Sequence, residues 1–126
     1  MKSPGHRQHP THRVAEKRVP GRVRVLYGAD VLAESSDVIE VDEDGNPRRW
    51  YFPRRDVRMD ALEPSETRSH CPFKGDASYF SLRAGDGLVP DAVWSYEAPY
   101  DEHADLAGRV AFWTEKFENL QVKPVE

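Results

Sequence analysis

Arg68, His70, Cys71 and Lys74, followed closely by Asp76 and Tyr79, place one thiol among several cations in a short stretch of chain. A free thiol titrates near about 8.5, and neighbouring cations favour the thiolate by about 1.36 kcal/mol for each unit of depression. The chemistry this suggests has Cys71 as a nucleophile or redox thiol, Lys74 as charge stabiliser and His70 as the proton-handling neighbour. Pro72 pushes Cys71 out of the α region toward extended backbone. Gly75 permits a positive φ between Lys74 and Asp76, so the chain can turn into the strand that begins at Ala77. Adjacent side chains of an extended segment point to opposite faces, so a His70–Cys71 pair needs a kink, or His103 must arrive from the far end of the chain. A plainer reading makes Cys71 a small buried hydrophobe, His70 a backbone-bonded loop residue and Lys74-Gly75-Asp76 a turn with an ion pair.

The aromatic residues would supply walls for such a site. Trp50 and Phe52 share one strand face, Trp94 and Tyr96 share another, and Tyr79 and Phe80 fall on opposite faces. A cleft lined by Tyr79, Trp94 and Tyr96 beside the Cys71 loop, with Arg68 and Asp76 as further ligand-binding groups, suits a small anionic metabolite. The same residues can hold a ligand without catalysis, which gives a binding module as the alternative to a thiol-dependent enzyme. A structural or assembly domain without a pocket is the third reading.

Charge is unevenly spread. Residues 1–22 carry six Lys or Arg against Glu16, a net of plus 5, and the remainder carries 12 against 21, a net of minus 9. An acidic body disfavours nucleic acid and anionic membranes as partners. Arg48, Arg49, Arg54, Arg55 and Arg58 surround Trp50, Tyr51 and Phe52, a pattern that a single-stranded nucleic-acid groove would need. Pairing of these arginines with the acidic excess is the preferred reading, and two of them could also hold a small anion.

The elements that must position these groups read as short strands. Residues 22–27 alternate and lead through Gly28-Ala29-Asp30 into residues 31–34, a hairpin signal. Residues 38–41, 48–52, 77–83, 92–96 and 108–113 continue the series, with a turn-rich run at residues 42–47. Residues 65–76 read as a long polar loop. Pro99 opens a short helix near residues 101–106, and residues 114–120 read as helical. The expected fold is mainly β, one antiparallel barrel or two-sheet sandwich of about eight short strands with one or two short C-terminal helices. Residues 1–21, rich in Pro, His and Arg, are expected to be a disordered basic leader, residues 22–120 the β domain and residues 121–126 a tail.

Several stretches carry a family resemblance. Tyr51-Phe52-Pro53, Asp56-Val57-Arg58-Met59-Asp60, Leu62-Glu63-Pro64-Ser65, the run Thr67-Arg68-Ser69-His70-Cys71-Pro72-Phe73-Lys74-Gly75-Asp76-Ala77-Ser78-Tyr79, Ala92-Val93-Trp94-Ser95-Tyr96 and Gly108-Arg109-Val110-Ala111-Phe112 together resemble the bacterial and fungal domain-of-unknown-function family 427. The resemblance spans residues 23–117 and implies a small mainly-β domain with no established activity. Its family label mentions nucleotidyl transfer, for which these residues offer no Gly-rich phosphate loop. Trp113-Thr114 departs from the family's usual aromatic followed by Pro.

Cys71, the chain's one cysteine, cannot form an internal disulfide, and neither a signal-peptide core nor a membrane-spanning run is present. The cytosol is the expected compartment. No metal site and no cofactor are expected, because no second cysteine, His-x-x-x-His helix or dinucleotide fingerprint is present.

Overall fold

Period-two alternation along the central strands sets the architecture. The computed structural model describes residues 1–125. Its strands are β1 (Val14–Arg18), β2 (Arg22–Tyr27), β3 (Asp30–Ser35), β4 (Ile39–Glu43), β5 (Arg49–Tyr51), β6 (Leu62–Cys71), β7 (Gly75–Ala84), β8 (Gly87–Tyr96), β9 (Val110–Phe112) and β10 (Leu120–Val125). They form three antiparallel sheets in the orders β1-β4-β5, β10-β2-β3 and β6-β7-β8-β9. A short helix α1 (Pro4–Gln8) precedes them, and a 3-10 helix at Asp101–Leu106 joins β8 to β9. No helix among the described residues is long and apolar enough to cross a membrane.

Strand β8 separates two cores. Val93 packs with Val25, Leu82, Val110 and Phe112 in the larger core. Its neighbours Trp94 and Tyr96 point the other way, into a second cluster with Val41, Tyr51 and Leu106. Strand β7 repeats the division, with Phe80 in the first core and Tyr79 against the second. The expected face assignments of the aromatic residues hold, because strand side chains alternate whatever surrounds them.

The structure is an open sandwich, not a closed barrel. A bridge between Phe52 and Val110, with N–H···O distances of 2.8 and 2.9 Å, joins the β5 edge of one sheet to the β9 edge of another. At the far ends β1 and β6 do not pair. In their place α1 lies on the turn after β6, where Gly5 N–H donates to Pro72 O at 2.9 Å and Ser3 Oγ–H to the same oxygen at 2.8 Å.

Four expectations need correction. The basic leader is ordered: β1 pairs with β4 over five residues, Arg13 meets Asp42 and Asp44, and Arg18 meets Asp37. Its positive charge is complementary to the acidic body, and Val14 and Val19 add apolar anchorage to the two cores. The polar stretch expected as a loop at residues 65–76 is mostly the edge strand β6, whose outer face meets solvent and so needs no apolar residues. Residues 114–120 form turns, not a helix, before β10 begins. The expected tail is β10 itself, paired with β2 from Leu120 to Val125, and Glu126 lies outside the described residues.

Candidate functional site

The turn that carries Cys71 and Lys74 is set by its own residues. Cys71 ends β6 directly opposite Gly75, the first residue of β7, and Gly75 has φ 121°. A Cβ there would come within 3.4 Å of Pro99 Cα and 3.5 Å of Ala98 O, so both backbone strain and the close-packed neighbour favour glycine. Between them Pro72, Phe73 and Lys74 make the connection.

This turn borders a hollow of about 240 Å³ between β4–β5 and β6–β8. Five of the residues singled out in the sequence line it: Cys71, Lys74, Tyr79, Trp94 and Tyr96. Arg68, His70 and Asp76 do not. His70 stands opposite Asp76 in the β6–β7 ladder and pairs with it on the outer surface, Nδ1 to Oδ1 at 2.7 Å. Arg68 is exposed and spends its guanidinium on the carbonyls of Ser65 and Thr67. The expected convergence of Arg68, His70 and Lys74 on Cys71 therefore does not occur, because strand alternation turns Arg68 and His70 outward. His103 does not reach the thiol either, since its Nδ1 meets Glu16 Oε2 at 2.5 Å and its Nε2 meets His6 Nε2 at 2.8 Å.

The rest of the lining includes Glu43, Tyr51 and Trp113, which the sequence reading did not place in the site, and Arg49, one of the arginines read there as able to hold a small anion. Lys74 Nζ donates to Glu43 Oε1 at 2.5 Å, with both side chains nearly buried, and His12 Nε2 lies 2.9 Å from the other oxygen. Burial pushes the Glu43 carboxyl up, but the bonds from Lys74 and His12 outweigh it and hold the group below its ordinary value. Trp94 Nε1–H donates to Tyr51 Oη at 3.1 Å. Burial pushes the Tyr51 and Tyr96 phenols well above the ordinary tyrosine range, so both stay protonated. Arg49 lies over the Trp94 ring, 5.2 Å from its centroid, and bonds Glu115. Trp113 meets Trp94 edge to face with centroids 6.1 Å apart.

The arginines around Trp50 are paired, as preferred from the sequence. Arg48 meets Glu40 and Asp42, Arg49 meets Glu115, Arg54 meets Glu97, Arg55 meets Asp37 and Arg58 meets Asp60. Asp37, flanked by Arg55 and Arg109, has its carboxyl lowered to about 2 by those hydrogen bonds.

Comparison with protein families gives one match: the model described as a domain of unknown function (DUF427) covers residues 15–123. A search of curated proteins finds no match. The family match takes in most of β1 and of β10 and all of the strands between them, including every strand that lines the hollow.

Proposed function

The chain belongs to the DUF427 family, and from that premise we propose that it is a small-molecule-binding module whose ligand seats in the hollow beside Cys71. The observation that carries this reading is the aromatic wall of Trp94 and Tyr96, buried against a space that no side chain fills. Small-molecule sites combine mainly apolar walls with a few placed polar groups, and here Cys71, Lys74 and Arg49 are those groups. At roughly 30 Å³ per water, the hollow has room for about eight waters, which suits a fragment-sized metabolite with a planar body.

A thiol-dependent catalyst is the second reading, favoured by the opening of the half-buried Cys71 onto this same space. It is the weaker one. A thiol nucleophile is activated by an adjacent base or by cations that favour the thiolate, while His70, His103 and Lys74 are each engaged elsewhere. Both readings suit a reducing compartment such as the cytosol, where the lone cysteine stays a thiol.

The test is a thermal-shift screen against small planar metabolites, with native mass spectrometry of the purified protein alongside it. The expected result is a ligand that raises Tm in the wild type and in Cys71→Ser but not in Trp94→Ala. A dependence on Cys71 would favour the catalyst, and neither a shift nor a retained molecule would count against both.

A further inference from the structure

Around the hollow the one carboxylate is spent, while several hydrogen-bond donors are not. Glu43, the carboxylate in the lining, gives one oxygen to Lys74 and the other to His12. Tyr79 Oη is paired with Ser69 Oγ at 2.8 Å, and Asn46 sits at the exposed rim. Lys74 is matched inside the lining by the nearly buried Glu43, whereas Glu115, the partner of Arg49, lies outside the lining and is more exposed.

Three further lining side chains keep a donor in hand. Tyr51 is 1% exposed, and its oxygen accepts from Trp94, but its own O–H has no acceptor among the described residues. Tyr96 is 8% exposed, and its hydroxyl makes no hydrogen bond among the described residues. That oxygen is not sealed away, since no buried side-chain polar atom lacks a partner, and Tyr96 lines the hollow. Arg49 uses one terminal nitrogen on Glu115 and rests over Trp94, which leaves other N–H groups of its planar fork. Of these only the Tyr51 hydroxyl is fully buried, and what all three groups can take from an occupant is an acceptor.

Resting on the ligand-binding reading, we infer that the hollow takes the carboxylate of a small planar acid, held by Arg49 and the hydroxyls of Tyr51 and Tyr96 with the ring against Trp94. A guanidinium fork and a carboxylate match in plane and spacing. A dianionic phosphate would require a second cation facing the space, and Lys74 is held to a carboxylate within the lining. The charge-bearing role expected for Lys74 passes to Arg49.

The experiment titrates four probes of nearly one shape, benzoate, benzamide, benzylamine and phenyl phosphate, into the full chain and follows tryptophan fluorescence and ligand-observed NMR. Benzoate is expected to bind in the range of about a millimolar that is open to such a fragment, about tenfold or more tighter than the other three. Arg49→Gln is expected to cost about tenfold in benzoate affinity, and Tyr96→Phe, which removes a single oxygen, several-fold. Equal or tighter binding of benzamide, benzylamine or phenyl phosphate overturns the inference while leaving a ligand site in place. Benzoate affinity unchanged in both variants overturns it as well. If no probe binds, the carboxylate assignment falls, and the binding reading is judged separately by the metabolite screen and by any molecule the purified protein retains.

Discussion

His6 Nε2 and His103 Nε2 lie 2.8 Å apart, so one ring must donate to the other and the pair cannot carry two full imidazolium charges without breaking the contact. Through it the N-terminal segment is fastened to the buried His103, whose Nδ1 also meets Glu16 of β1. The same segment lays His6 and His12 against Phe73, with ring centroids 5.0 and 4.2 Å away, next to the turn that presents Lys74 to the hollow.

Acid should loosen this strap. Burial, and next the neighbouring His103, hold the His6 pKa below its ordinary value, with Glu102 and Glu43 opposing and His12 adding to the shift. The unfolded chain therefore binds more protons at His6 than the native one does. The stabilising contribution is full above about pH 6.5, the ordinary histidine value, and is lost as pH falls through the native value. Hydrogen exchange is expected to show faster exchange of β1 at pH 5 than at pH 7.5 after correction for intrinsic rates. His6→Gln should flatten that dependence, whereas the same pH dependence in His6→Gln would contradict the assignment.

Separating Lys74 from Glu43 leaves a nearly buried charge without its partner. Lys74→Met and Glu43→Gln are each expected to lower stability by about 3 kcal/mol in urea melts, the range seen when one member of a buried pair is removed. Because the pair is satisfied jointly, the double variant should lose less than the sum of the two. Additive losses would mean that the two groups act independently.

Gly5 has no room for a side chain. A Cβ would sit 2.7 Å from Pro72 O and 2.8 Å from Phe73 Cδ1. Gly5→Ala is expected to cost about 1–3 kcal/mol locally and to expose residues 1–18 to limited proteolysis while the larger core stays protected. Unchanged cleavage would show that α1 tolerates the shift.

Cys71 opens on the hollow, so an occupant should shield it. Alkylation of the native thiol by iodoacetamide is expected to slow when benzoate is present at saturation, with clearly less slowing in Arg49→Gln at the same concentration. Equal rates with and without benzoate would place the acid elsewhere.

The sequence made much of this legible where the controlling interactions are local. The Cys71-Pro72 step and the positive φ at Gly75 follow from the chemistry of adjacent residues, and the faces of Trp94, Tyr96, Tyr79 and Phe80 follow from strand alternation alone. The Lys74–Glu43 pair was not legible, because it spans 31 positions and Glu43 lay in a run that reads as turn. Alternation also sets His70 apart from the thiol, since a strand that aims Cys71 inward aims His70 outward, and no kink intervenes. Strand β6 looked like loop because an edge strand gains its hydrogen bonds without apolar side chains, and β1 looked disordered because its order comes from acidic partners far along the chain, such as Asp37 and Asp42.

The central claim is that the space beside Trp94 is a binding site, and crystals of the full chain soaked with benzoate test it most directly. The account predicts planar density against Trp94, with an oxygen within hydrogen-bond distance of Tyr96 Oη and of the Arg49 guanidinium. A hollow closed over by Trp113 and Arg49, with benzoate absent at saturating concentration, would contradict it.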